Sequence, residues 1–343
     1  MRKLFFLAIA LMLTFAVLTF PAAAEEQEVP VYRCGVLSLL NIDEAGYTGI
    51  ENATMTLAAM VSGEGAVSGG GDFSTIKNTV VYFDTFNELV MALESGGVDW
   101  IELPLSTANY LCASHDDFWT LGINTDCDVS LDMEIIINQM SSGFSFLMLD
   151  TNTALRDQFN DAIAGIKADG TLDALVKTFI TDDISNDKPE AVAFDNRYTE
   201  TIRVAVTGEL PPMDYVSPDG TFAGFNTAVL AEIGKRIGMN IELVQANSLT
   251  RSTLLSTGQA DVVFWTRVGF APTDPYIGES EEEHAAHIAE YNARRENGIQ
   301  GAEELLNMLG LGDFEQNAAI DIPPGTIITD PYFADFIMPV NRK

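Results

Sequence analysis

The chain has 343 residues, with 50 Asp and Glu against 18 Lys and Arg and a formal net charge of −32. That balance argues against nucleic acid as a partner, because phosphate contacts need clustered Lys and Arg, and it disfavours an anionic membrane surface for the same reason. Three cysteines are too few for a disulfide-built scaffold, and the length suffices for two ordinary α/β domains with cores of their own.

Arg2 and Lys3 precede an apolar run from Leu4 to Phe20, and Pro21-Ala22-Ala23-Ala24 follows. This is the layout of a signal peptide over residues 1–24, with cleavage before Glu25. Its removal takes two of the 18 Lys and Arg and none of the 50 acids, moving the net charge from −32 to −34. The expected product is an exported chain, periplasmic or extracellular, with no stable membrane insertion. No Cys adjoins the cut, so a lipid anchor is not expected.

Residues 31–40, VYRCGVLSLL, read as a buried strand, and 80–93, VVYFDTFNELVMAL, as a strand running into a helix. Gly69-Gly70-Gly71 lies in a flexible turn rather than after a strand, so it does not cradle phosphate. Cys112 and Cys127 either close a short loop or remain free thiols. Thr181 to Glu190 is polar and contains Pro189, marking a linker over 186–200 between a domain at 25–185 and one at 201–343. In the second domain 201–207 is a strand, Thr227–Ile237 is a helix with Gly238 suited to its end, and Ile241–Val244 is the next strand. An acidic helical insertion occupies about 268–322. His284 and His287 sit three apart on its solvated face with no matching third ligand, and His115 is in a polar loop. No metal, cofactor or catalytic constellation is expected.

The two halves share a pattern. Leu93-Glu-Ser-Gly96-Gly-Val-Asp99 and Leu255-Ser-Thr-Gly258-Gln-Ala-Asp261 have one spacing, and Arg33-Cys-Gly-Val-Leu and Arg203-Val-Ala-Val-Thr open their respective halves. In each, a helix ends on a left-handed Gly and the chain turns through a polar residue into a buried strand.

Residues 202–244, IRVAVTGELPPMDYVSPDGTFAGFNTAVLAEIGKRIGMNIELV, followed by LLSTGQADVVFWT, resemble lobe 1 of the family 3 extracellular solute-binding proteins of bacterial amino-acid transporters. Thr329-Asp330-Pro331-Tyr332-Phe333 resembles the family segment leading to the hinge strand. Residues 80–112 and 144–180 resemble its lobe 2 and closing segment, so the order is permuted. The resemblance implies an α/β, two-lobed periplasmic-binding-protein-like (type II) clamshell, each lobe a mixed sheet flanked by helices. Either the halves form one clamshell or each is a cut-down copy.

The family's ligand set carries over with departures. Its key Arg falls on Thr273, leaving Arg267 as the nearby substitute; its hydroxyl pair falls on Trp265 and Thr266; its lobe 2 acid falls on Pro104, leaving Glu102. Asn226 stands for an Asp after Phe225, and Tyr215 lies beside the Pro211-Pro212 turn. The candidate ligand contacts are therefore Tyr215, Phe225, Asn226, Trp265, Thr266, Arg267 and Glu102. A free amino acid needs a cation for its carboxylate and an acid for its ammonium. The expected function is capture of a small polar, amino-acid-like solute by a monomer that hands it to a membrane permease or sensor. The competing expectation is a former solute binder acting as an exported interaction or scaffold protein.

Overall fold

The computed structural model describes residues 31–41, 77–120, 141–181, 192–268, 286, 289 and 322–343. The expected signal peptide at 1–24, the 69–71 glycines, Cys127, His284, His287 and nearly all of the insertion expected at about 268–322 lie outside the described residues.

The fold is mixed α/β, and its parallel strands form two copies of one arrangement. In the first, β1 (Val31–Leu37) lies between β2 (Lys77–Phe83) and β3 (Trp100–Pro104), all parallel, with α1 (Phe86–Ser95) connecting β2 to β3 and α2 (Leu105–Ser114) following. β4 (Phe118–Thr120) comes next, and then β5 (Ser141–Leu149), α3 (Thr153–Ala168) and α4 (Thr171–Val176). In the second copy, β6 (Thr201–Val206) is flanked by β10 (Asn240–Gln245) and β11 (Val262–Val268), again all parallel. Between β6 and β10 come a small antiparallel sheet of β7 (Glu209–Leu210), β8 (Asp214–Val216) and β9 (Phe222–Ala223), then α5 (Phe225–Ile237). The short α6 (Arg251–Ser256) connects β10 to β11.

The repeated sequence pattern has one physical basis in both copies. After α1, Gly96 takes φ 73°, and Asp99 accepts the Arg33 backbone N–H at 2.7 Å while donating its own N–H to the Arg33 carbonyl at 2.8 Å. After α6, Gly258 takes φ 67°, and Asp261 makes the same exchange with Arg203, at 2.9 and 2.8 Å. The left-handed glycine reverses the chain, and the carboxylate locks the start of the incoming strand to the start of the central one. The Arg203 side chain adds a fork onto Asp261, which raises the guanidinium's pKa through that hydrogen bond and its charge.

Two antiparallel strands join the copies. β5 pairs with β11, and β13 (Phe333–Arg342) pairs with β5 along Phe333–Phe336 and with β3 along Ile337–Val340. β12 (Thr326–Ile328) adds to β5, and β4 to β13. The strand order is β10-β6-β11-β5-β13-β3-β1-β2. The chain halves therefore interleave: β5 and α3 precede the 186–200 stretch in sequence yet pack with β11 and α5, and the last residues of β13 lie against β3.

Packing explains this placement. Phe144 and Phe146 of β5 are fully buried, Phe144 stacking on Phe264 of β11 and Phe146 on Tyr332. Phe159, Ile163 and Ile166 give α3 one buried face, set against α5, whose own helix is buried at Phe225–Ala231, Ile233 and Gly234. An ion pair from Arg236 to Asp169 at 2.5 Å ties the ends of these helices, and the hydrogen bond holds the Asp169 carboxyl down at about 2. β13 also caps α2: Pro104 has no donor-accepting side chain, and Asp335 supplies the carboxylate instead, accepting the Ser106 N–H at 2.8 Å.

Candidate functional site

Where β1 ends, the chain makes a 3-10 turn, Ser38–Leu40, and leaves it through Asn41 in the left-handed region at φ 57°. Sequence reading extends a strand through residue 40; the turn instead directs Leu39 and Leu40 into the core. It is seated on the end of β11, where the Thr266 hydroxyl donates to the Leu40 carbonyl at 2.6 Å and the Asn41 side-chain amide donates to the Thr266 carbonyl at 3.1 Å.

Arg251, the first residue of α6, projects into the same place and is 1% exposed. The loop before it is braced by Asn247, whose side chain accepts the Thr250 N–H and hydroxyl, both at 2.8 Å. The Arg251 guanidinium donates from Nη1 to the Phe264 carbonyl at 3.3 Å and from Nη2 to the Leu39 carbonyl at 2.5 Å and to Asn41 Oδ1. Its Cζ lies 4.2 Å from the centroid of the Trp265 ring. Arg251 Nε and Trp265 Nε1 are buried donors without hydrogen-bond partners among the described residues.

The electrostatics are unusual for a buried arginine. Among the described residues no carboxylate pairs with Arg251; neutral carbonyls, a carboxamide and an indole face take the place of a counter-charge. Burial pushes its pKa down from 12.5 to about 9, since desolvation disfavours the charged form. At neutral pH the cation persists, offset by the aromatic face and the oriented oxygens. Guanidinium N–H donors of this kind suit the paired acceptor oxygens of a carboxylate.

Two further contacts cross the junction between the copies. Glu209 of β7 accepts the Phe86 N–H at the start of α1 at 2.8 Å, and Ser248 donates to Asp84 at 2.9 Å. Burial raises the Glu209 pKa, against the opposing effect of the Phe86 N–H, with Asp214 and Glu88 raising it further. Asp214 is fully buried and holds the β6–β7 turn through the Thr207 and Gly208 N–H groups at 3.0 and 2.8 Å.

Of the residues expected from sequence, Trp265 and Thr266 meet at this Arg251 cluster. Arg267 follows them in β11 with its backbone opposite Gly143; its side chain lies outside the described residues. Phe225 is fully buried, edge-on to Phe333 at 5.2 Å and tilted on Tyr332 at 6.1 Å. Asn226 accepts the Tyr332 hydroxyl at 2.7 Å. Glu102, on β3, accepts the Trp100 indole N–H at 3.2 Å. Tyr215, on β8, is half-buried, and burial followed by the neighbouring Tyr110 raises its pKa. Sequence reading passes over Arg251 and Asn41. A signal exists for the first: Arg251 lies one helical turn before the buried Leu255, so a cation occupies the apolar phase of α6.

The strand that carries Trp265 and Thr266, and the helix that carries Arg251, both fall in one recognisable segment. Residues 202–267 match the bacterial extracellular solute-binding proteins, family 3. No curated protein matches the chain. Among solved structures the chain is similar to a ligand binding component of an ABC-type import system from Staphylococcus aureus with zinc bound, at 10% identity and a TM-score of 0.35, covering 91% of this chain and 66% of that one. It is similar as well to the GluR0 ligand binding core in complex with L-glutamate, at 9% identity and a TM-score of 0.36, covering 92% of this chain and 85% of that one. A mutant of arginine-bound ArgBP from T. maritima is similar at 10% identity and a TM-score of 0.33, covering 91% and 88%. The chain thus spans just under two thirds of the staphylococcal component. No helix among the described residues is long and apolar enough to cross a membrane.

Proposed function

We propose that the chain is an exported solute-binding protein that captures a small, polar, carboxylate-bearing solute at the junction of its two strand–helix copies, for a membrane transporter or sensor. One observation carries this reading: Arg251 is a buried cation with no carboxylate partner among the described residues, stacked on Trp265 inside the segment that matches the solute-binding family. The family match supports binding rather than catalysis as the role. A carboxylate would accept from the two partnerless donors, Arg251 Nε and Trp265 Nε1, and give a counter-charge to a buried cation that neutral oxygens now hold. Thr266 and Arg267 adjoin the site in sequence, and the solute's remaining polar groups would be met from the opposite copy. We take the two copies, bridged by β5 and β13, as the lobes of a hinged clamshell.

The test is calorimetric titration with L-glutamate, L-aspartate and succinate, with L-lysinamide as a control that lacks a carboxylate. Binding by the acids, lost in Arg251→Met and absent for the control, is expected; equal binding by Arg251→Met removes the site. The second reading, an interaction protein with a spent cleft, is favoured by one observation, that the junction is already closed by hydrogen bonds from Arg251, Thr266, Ser248 and Glu209. It predicts no heat and no thermal shift with any of these solutes at millimolar concentration.

A further inference from the structure

The Arg251 site is already liganded by the protein's own chain, and the ligand has the shape of half a carboxylate. Asn41 presents Oδ1 to Nη2 of Arg251, while the same nitrogen donates to the Leu39 carbonyl. A carboxamide oxygen offers a carboxylate's planar acceptor geometry without its charge. We propose that Asn41 is an intramolecular stand-in for the solute, so that a carboxylate binds Arg251 by displacing the Asn41 side chain and the Ser38–Asn41 turn sets the affinity of the site. The identity of the displacing solute rests on the reading above; the occupation of Arg251 by Asn41 does not.

Three features make the side chain, rather than the whole turn, the moving part. Leu39 and Leu40 are each 1% exposed and anchor the turn in the core, whereas Asn41 is only half-buried. The turn's backbone is held separately by the Thr266 hydroxyl on the Leu40 carbonyl and by the Asn41 N–H on the Ser38 carbonyl. Asn41 accepts φ 57° because asparagine tolerates the left-handed region, so the carboxamide is set over the guanidinium by backbone geometry and can leave by rotation about its own side-chain bonds. Displacement would break two contacts, the one to Arg251 and the donation to the Thr266 carbonyl. An arriving carboxylate replaces the first with a charge-assisted bond and leaves the partnerless Nε as a second donor.

An occupied site weakens binding by the fraction of molecules in which it is open. Asn41→Gly deletes the carboxamide and keeps the left-handed backbone without strain. Removing a competitor held by a hydrogen bond to a charged group is expected to tighten L-glutamate and succinate binding by about tenfold. Asn41→Asp places a carboxylate of the chain on Arg251 and is expected to weaken both by at least as much.

The experiment pairs titration of wild type, Asn41→Gly and Asn41→Asp by these two acids with a solute-free readout, the rate at which phenylglyoxal modifies Arg251, mapped by peptide mass spectrometry. Expected are dissociation constants in the order Gly variant, wild type, Asp variant from tightest to weakest, and labelling rates in the same order from fastest to slowest. Equal labelling of Arg251 in all three proteins overturns the proposal, whatever the titrations give. Equal affinities in all three, with binding lost in Arg251→Met, overturn it too while leaving the solute site standing. Ordered labelling with no binding of either acid supports the stand-in and overturns the assignment of the solute.

Discussion

The Arg251 guanidinium lies 4.2 Å from the centre of the Trp265 ring, and neither side chain is more than 4% exposed. The indole is both the floor of the cation site and a packing element of the smaller core cluster with Leu147, Leu255 and Val263. Trp265→Ala is expected to destabilise the protein by about 3–5 kcal/mol, the range for deleting a large buried aromatic. Trp265→Phe should lose much less, because a ring remains under the cation. Urea unfolding at pH 7 measures both.

Asp335 links acidity to stability. Burial raises its pKa from 3.8 to about 6 despite the Ser106 and Phe336 N–H bonds it accepts, each at 2.8 Å. The folded chain therefore holds a proton that the unfolded chain releases between about pH 4 and 6. Stability from this group is fully present below pH 4 and is lost as pH rises through 6, by an amount on the order of 3 kcal/mol. Asp335→Asn should flatten that slope while lowering stability at pH 4, because its amide nitrogen cannot accept one of the two N–H bonds. Urea midpoints of both proteins from pH 4 to 7 provide the comparison, and parallel slopes would sink the assignment.

The Asp99 and Asp261 turns should respond alike. In each, the carboxylate accepts the N–H of the Arg that opens the central strand. Alanine at either position leaves that N–H without its acceptor and should lower the melting temperature, whereas asparagine keeps an acceptor and should lower it less. Hydrogen exchange at the Arg33 and Arg203 amides should quicken in the alanine variants only at the mutated copy.

Cys112 carries a free thiol in α2, and burial pushes its pKa up to about 11, partly offset by the Lys343 charge. The thiolate is the reactive form, so alkylation of Cys112 by iodoacetamide at pH 8 should be slow in the folded protein and rise on unfolding in urea. Fast labelling of the native protein would contradict the burial.

Much of this protein was legible in its sequence where the physics is local. The two Gly-x-x-Asp turns were visible because a helix end, a left-handed glycine and a strand start occur within seven residues, and the Arg partner opens the strand that each copy builds on. The α5 helix could be read from its apolar spacing and from Gly238, which caps it at φ 71°. Of the candidate contacts that the resemblance implies, Trp265 and Thr266 adjoin Arg251, while Phe225 packs on Tyr332 and Phe333.

What no local pattern carries is the company each residue keeps across the sheet. Asn41 and Arg251 are 210 positions apart, Ser106 and Asp335 are 229 apart, and neither pair announces itself by spacing. The interleaving of β5 and β13 between the two parallel cores joins the halves of the chain, and it buries Phe144 and Phe146 against Phe264 and Tyr332. The sequence by itself determined the repeated strand–helix units and their turns, which depend on backbone conformation and nearest neighbours. Only the tertiary structure decided that a buried arginine would have no carboxylate partner among the described residues and would donate to an asparagine from the other copy, because desolvation and long-range hydrogen bonding exist only once the chain is packed.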